Sequence, residues 1–502
     1  MVLMCMIMPF LSVFIVSLAL FAVRRAVAER IAVSALSLWL AFESVLGIKQ
    51  LLGMAISNHN LYLMTGSFEN PGPYGGFIAV CTAVALYAAW KWYSSEKFYD
   101  RTISLISGIS GALGLIILPA SMSRAGWVAL IISSVFSLIV QPVVRKYFRT
   151  HKLIVVISLV VLAIGFAGAF CIKKDSARGR FHIWKMELLA IADRPIAGHG
   201  FEHALGAYGD AQAEYFESAD RGPEHERIAS CPEYAFNEYL RFGIEFGVFG
   251  FLLAVAVIVL GTMSLYRVDS ALTYGIIAWG VFAFASYPMS VWQLCVLLSV
   301  FLGAAVGADL NLERRRKFIV ALFSIVISVG CTIWWRPRYE LMVASESKWH
   351  EEQQFAGFGI YDGVSDSLAV LYPWLKKEYR YLYDYGYALH KVGHYKKSNE
   401  ILYEGASMSS DPMFYDIIGK NYEALGDYEM AKQSWLHAHY MVPSRLYPYI
   451  LLMEMCDRRG DRREALVYAE KVLSMQVNYR NIAMRELYEK AERYYDEHEK
   501  NN

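Results

Sequence analysis

The sequence predicts an all-α protein in two parts: a polytopic membrane domain of about ten helical spans, and a C-terminal α-solenoid of short helical repeats. Three observations predict it. Apolar runs close to the ~20 residues that cross a bilayer recur through residues 1–335. Charge is uneven: residues 336–502 hold 48 of the 95 Lys, Arg, Asp and Glu residues, so the last third reads as water-soluble and the first two thirds as lipid-immersed. Residues 386–472 repeat with a period of 33 to 34.

The expected spans are about 2–22, 31–53, 76–91, 102–120, 126–143, 153–172, 241–264, 271–287, 291–308 and 318–335. The first is not read as a cleaved leader, because its basic cluster (Arg24, Arg25, Arg30) follows the apolar run instead of preceding it. Further basic clusters fall at Lys91/Lys97/Arg101, Arg145/Lys146/Arg149/Lys152, Arg267 and Arg314/Arg315/Arg316/Lys317, while the alternate linkers 54–75 and 288–290 hold no Lys or Arg. Lys and Arg are retained on the cytoplasmic side during insertion. The pattern therefore sends 54–75, 119–125, 173–240, the N-terminus and all of 336–502 outward.

The outer loop 173–240 is far longer than a connector. It is rich in Trp, Tyr, Phe, His and Arg, which disfavours disorder. Within it Ile183, Trp184, Met186, Leu188 and Ile191 have helical spacing, and Asp193-Arg194-Pro195 ends the run. An amphipathic helix on the membrane surface is expected. The 7 cysteines are scattered without a CxxC or a Cys/His metal pattern, so they read as small buried hydrophobes and no metal site is expected. A net charge of +1 excludes a strongly basic nucleic-acid binder.

In the last third, Gly386, Leu389, Gly393 and Tyr395 recur 33 positions later as Gly419, Tyr422, Gly426 and Tyr428. Gly426 and Ala431 recur 34 later as Gly460 and Ala465. Ala431, Trp435, Ala438 and Pro443 complete the middle copy. This resembles the tetratricopeptide repeat, in which small residues sit where two helices touch and Pro ends the second. The resemblance divides the soluble part into a linker with first helices (336–378) and a repeat domain (379–502) with a concave face for a protein partner. The repeats hold no cluster of acid, base and anion-binding groups, so they are expected to choose a partner and not to perform chemistry.

Three outward features are candidates for chemistry. Arg124, in Ser123-Arg-Ala-Gly-Trp127, breaks the charge pattern at the lip of a span, where a cation is costly unless it has a function. Arg178 and Arg180 follow the sixth span, and a guanidinium fork matches phosphate oxygens. In Pro195-Ile-Ala-Gly-His-Gly-Phe-Glu-His203 the glycines permit sharp turns, and His199 and His203 titrate near neutrality. In the second span Glu43 and Lys49 read as an internal pair.

These pieces, in order, resemble the O-antigen ligase and polymerase family. They are Thr65-Gly-Ser-Phe-Glu-Asn-Pro71, Ser123-Arg-Ala-Gly-Trp127, Arg180-Phe-His-Ile-Trp184, Arg194-Pro-Ile-Ala-Gly-His-Gly-Phe201, Ala235-Phe-Asn-Glu-Tyr-Leu240 with Glu245-Phe-Gly-Val-Phe-Gly250, and Ser286-Tyr-Pro288. The resemblance implies a transmembrane glycan-transferase domain over 1–335 in a bacterial inner membrane, with the long loop and the repeats in the periplasm. It implies transfer of a glycan from an undecaprenyl-diphosphate-type carrier to an acceptor hydroxyl on a lipid core, a protein or a growing glycan, without metal or cofactor. Arg124, Arg180 and Arg178 would then bind the diphosphate. One departure stands out. The family often carries His-Asn after the long loop as the proposed base, and here the slot reads Phe236-Asn237. His199, His203, Glu233 and Glu238 are the replacement bases, and the sequence does not choose among them. Two other classes compete: a lipid or glycan transporter, which would need charges along several span interiors, and a non-catalytic scaffold presenting repeats, which would not need arginines at the outer lip.

Overall fold

The computed structural model describes residues 2–140, 174–219, 221–310, 313–475 and 482–499. The expected span at 153–172 and the basic cluster Arg145–Lys152 lie outside the described residues. Every regular element among those described is helical. The membrane half comprises α1 (Val2–Leu51), α2 (Pro71–Trp92), α3 (Phe98–Ala120), α4 (Arg124–Ile139), α5 (Lys174–Asp193), α6 (Ala204–Glu217), α7 (Pro223–Ile228), α8 (Glu238–Arg267), α9 (Leu272–Ala283) and α10 (Trp292–Asp309). Helix α11 (Arg314–Gly357) leads into α12 (Asp362–Leu375), α13 (Tyr379–Lys391), α14 (Tyr395–Ala406), α15 (Met413–Ala424), α16 (Tyr428–Met441), α17 (Tyr447–Arg458), α18 (Arg462–Ser474) and α19 (Ile482–Glu499). Among the described residues six helices are long and apolar enough to cross a membrane (α1, α2, α3, α8, α10 and α11), and α4 and α9 are shorter apolar helices.

Helix α1 is interrupted at Arg24, whose φ of −141° and ψ of 68° are not helical. Gly303 and Gly307 of α10 approach the backbone at Phe14 and Leu18, and Trp39 stacks on Trp292 with ring centroids 5.9 Å apart. The first arm therefore runs along α10 toward Asp309, and the second runs back to Trp292. Large apolar side chains such as Leu253, Leu260, Phe318 and Ile333 are exposed on these helices, as expected of surfaces facing lipid. Helix α11 continues without a break from the apolar run into the charged third. At 1.5 Å per residue it spans about 66 Å, over twice the thickness of a hydrocarbon core.

The linkers sort into two ends. At one end, Arg30 bonds Asp100 at 2.6 Å, Lys91 bonds Glu29 at 2.9 Å, and Tyr87 bonds Asp269 at 2.6 Å. These are the basic linkers of the sequence. At the other end lie the 54–70 loop, the N-terminus of α4, the 174–237 segment and the 284–291 linker.

The soluble third stacks as helical hairpins. The turns joining α13 to α14, α15 to α16 and α17 to α18 each carry a glycine of positive φ: Gly393 at +83°, Gly426 at +81° and Gly460 at +78°. A side chain at Gly419 would run into the indole of Trp435, whose Nε1 bonds the Asp416 carbonyl at 3.0 Å. Helix α6 packs on this stack. Gly206 and Gly209 let it approach Ser407 and Ser410 closely, and Ala213, Met441 and Val442 share a small core. His203 Nδ1 lies 3.0 Å from the Ser407 carbonyl, Ser410 Oγ donates to Pro232 O at 2.9 Å, and Gln212 Nε2 donates to Met441 O. The helices of the last third thus hold the long loop, a role the sequence did not suggest.

Candidate active site

The floor of this second end is built on α1. Buried Glu43 accepts from Ser67 Oγ at 2.6 Å and Ser67 N at 3.0 Å, so its partner is the loop and not Lys49, which is exposed. Gln50 accepts from the amides of Thr65 and Gly66 at 3.0 and 2.8 Å. Gly66 has φ +58°, and a Cβ there would collide with Tyr74 and Glu43, so only glycine closes this turn. Asn70 then caps α2 by accepting from Gly72 N at 2.9 Å. Ser123 caps α4 by accepting from Gly126 N, and its hydroxyl donates to Gly72 O at 2.9 Å. That bond draws the N-termini of α2 and α4 together, with Arg124 as the first residue of α4.

Arg180 reaches this lip from α5. Its Nη1 donates to Ala285 O at 3.0 Å, and its guanidinium lies 5.2 Å from the Phe236 ring centre. Burial, and then the like charge of Arg124, push its pKa below the ordinary value. Among the described residues no carboxylate lies within ion-pair distance of Arg180. Phe236, in the slot where a base was expected, thus supports the cation. Arg178 faces elsewhere, because residues two apart on a helix do not share a face. It is exposed and lines a shallow cavity with Lys185, His225 and Arg227. The structure brings Arg124 and Arg180 into each other's field and separates Arg178 from them.

The four base candidates are equally scattered. Helix α8 is broken at Gly247, with φ +70°. Ile244 O and Glu245 O accept instead from His199 N and Gly200 N at 2.8 and 3.0 Å, while Val248 N donates to Pro195 O at 2.8 Å. The 195–200 turn therefore replaces bonds the helix lost. Within it, His199 Nε2 lies 2.9 Å from Ala190 O and 3.7 Å from Asp193. His203 bonds Ser407, as above. Glu233 is exposed and pairs with Arg380 at 3.0 Å. Glu238 alone is buried, at 2% exposure, at the start of α8 after the cap Asn237. Its Oε1 accepts from Met289 N at 2.8 Å; its Oε2 lies 3.5 Å from Arg241 but has no hydrogen bond. Glu238 lines a cavity of about 170 Å³ with Tyr234 and Tyr287, which stack at 4.0 Å. Tyr287 also meets the Phe236 ring edge-on at 5.5 Å, so two packed rings stand between this cavity and Arg180.

Glu187 was missed by the sequence reading. It is 1% exposed, and neither carboxyl oxygen has a hydrogen-bond partner. Burial, then the charge of nearby Glu238, hold its carboxyl well above the usual range. The signal was present: Glu187 sits on the apolar stripe of α5, one turn from Ile183 and beside buried Met186 and Ala190.

Comparison with known families bears on this end of the molecule. Residues 109–255 match the O-antigen ligase family. The O-antigen ligase match covers under a third of the chain, but it includes Arg124, Arg180, Glu187, Glu238 and the whole outer loop. It supports a membrane enzyme of the glycan ligase or polymerase kind acting on a lipid-linked glycan, in a multi-pass protein of a bacterial inner membrane. No curated protein matches the chain significantly.

Proposed function

We propose that this chain transfers a glycan from an undecaprenyl-diphosphate-type carrier to an acceptor hydroxyl at the outer face of the inner membrane. One observation carries the reading: Arg180 is held by a carbonyl and a ring, beside a second arginine, and no carboxylate among the described residues is within ion-pair distance of it. A half-buried cation in that setting is raised in energy until an anion arrives. The diphosphate is such an anion. The capped N-termini of α2 and α4 add their positive ends at the same lip. Ten crossings follow if the two arms of α1, the short helices α4 and α9 and the segment 153–172 each traverse the bilayer. The tetratricopeptide-like repeats then stand with the loop in the periplasm.

The chemistry is a displacement at the anomeric carbon. The acceptor oxygen bonds to C1 as the C1–O bond to phosphate breaks, and the electron pair leaves on the diphosphate. Arg124 and Arg180 stabilise that developing charge, which is the largest contribution available. The acceptor proton passes to Glu238, whose Oε2 is not committed to a hydrogen bond. His199 and His203 are engaged with backbone carbonyls, and Glu233 with Arg380. A single displacement inverts the configuration at C1.

The test uses the full chain in lipid with a polyprenyl-diphosphate glycan donor. Arg124→Ala and Arg180→Ala should slow transfer by roughly ten- to more than a hundredfold, the equivalent of one charge-assisted contact. Arg→Lys should also be impaired, because the fork is lost while the charge remains. Near-normal transfer by both well-folded alanine variants would end this mechanism.

A further inference from the structure

A second cavity, of about 370 Å³, lies between the end of the outer loop and the repeat helices. Its size is at the lower end of the ~300–1,000 Å³ typical of small-molecule sites. Tyr379, Tyr383 and Phe414 supply ring faces, and Glu233, Asp384 and Asp411 supply carboxylates. Asp384 is set in place before any ligand arrives. Trp349 Nε1 and Gln353 Nε2 donate to it at 2.9 and 2.8 Å, both to Oδ2, and among the described residues none donates to Oδ1. Leu205, Glu233 and Tyr379 line this cavity and the smaller one holding Glu238, so the two cavities are neighbours.

We propose that this cleft binds the sugar chain of the acceptor. The proposal rests on the function proposed above and adds where the acceptor lies and what it is made of. A sugar offers an apolar face of C–H groups and a rim of hydroxyls. Tyrosine rings match the face, and carboxylates and amides match the rim, because a carboxylate accepts from neighbouring hydroxyls in charge-assisted bonds. Of the lining carboxylates, Glu233 pairs with Arg380 and Asp411 with Arg445 at 3.2 Å, which leaves Asp384 without an ion pair among the described residues. The lining cation Arg380 is already paired, so the cleft offers a diphosphate no uncommitted cation among its described lining residues, and the donor is left to Arg124 and Arg180.

Two sugar probes are the deacylated core oligosaccharide and the released surface-polysaccharide repeat of the bacterium that encodes the chain. A Ser/Thr-rich peptide is the third probe. Binding to the full chain in lipid is read by calorimetry, independently of transfer. At least one sugar should bind, and Asp384→Asn and Tyr379→Ala should each weaken it by roughly tenfold, about one hydrogen bond or ring contact. Tyr379→Phe should restore binding. Arg180→Lys should leave this binding unchanged while transfer falls. Absence of sugar binding, binding of the peptide alone, or unchanged sugar affinity in folded Asp384→Asn and Tyr379→Ala would each overturn the proposal. Sugar binding without any transfer would count against the functional reading and leave the cleft standing.

Discussion

Arg30 and Lys91 at one end of the membrane half are held differently from Arg180 at the other. At the basic-linker end, Arg30 meets Asp100 at 2.6 Å and Lys91 meets Glu29 at 2.9 Å, and Glu29 also accepts from the Ala271 amide at 2.8 Å. Each cation there ties together helices distant in sequence. At the opposite end, Arg180 rests on a carbonyl and a ring beside another arginine. A cation given a carboxylate is a staple. A cation given only dipoles and a like charge has capacity left for an incoming anion. On the proposed mechanism, that contrast separates structural from functional arginines without reference to motifs.

The largest effect expected from breaking this contrast is on chemistry. Glu238→Gln keeps the volume and the bond from Met289 but cannot take a proton. Transfer should fall by ~10²–10⁴-fold, the usual contribution of a general base, with thermal unfolding little changed. Glu233→Gln should stay close to the parent rate. If the two results are exchanged, the base is Glu233 and not Glu238.

The next effect is on stability at the other end. Asp100→Ala strands Arg30 at a partly buried position and should destabilise the protein by about 1–3 kcal/mol. Transfer per folded molecule should remain at the parent level. A loss of transfer matching that of Arg180→Ala, in protein that melts normally, would erase the distinction between the two ends.

The smallest effect is a pH dependence at Glu187. Its native pKa lies above its ordinary value of 4.5 because burial disfavours the charged form. The folded state therefore binds this proton more tightly than the unfolded state, and stability from this group is lost as pH rises from about that ordinary value through the native one. Glu187→Gln removes the titration. Its melting temperature should gain on the parent as pH rises, and a constant gap from acid to alkaline pH would mean that the carboxyl is not buried as described.

Much of the architecture was legible because it is written in patterns along the chain. Apolar runs at 76–91 and 102–120 foretell α2 and α3 because lipid demands a continuous apolar surface. The 33- and 34-residue spacing of Gly393, Gly426 and Gly460 foretells three alike turns because each needs a backbone that side chains disfavour. The helix expected at 180–192 lies within α5. These are local rules, and a sequence read in order obeys them.

The site belongs to the tertiary structure. Arg178 and Arg180 are neighbours in sequence and face different surroundings; Arg124 and Arg180 are 56 positions apart and feel each other's charge. Four carboxylate and histidine candidates were equal on paper. What separates them is burial and prior hydrogen bonding, and both depend on which distant segments close over each group. Glu43 takes Ser67 and not Lys49 for the same reason. Composition and period determine where helices form and which end carries the basic linkers. Which of those charges keeps an uncommitted face is decided only when the helices meet.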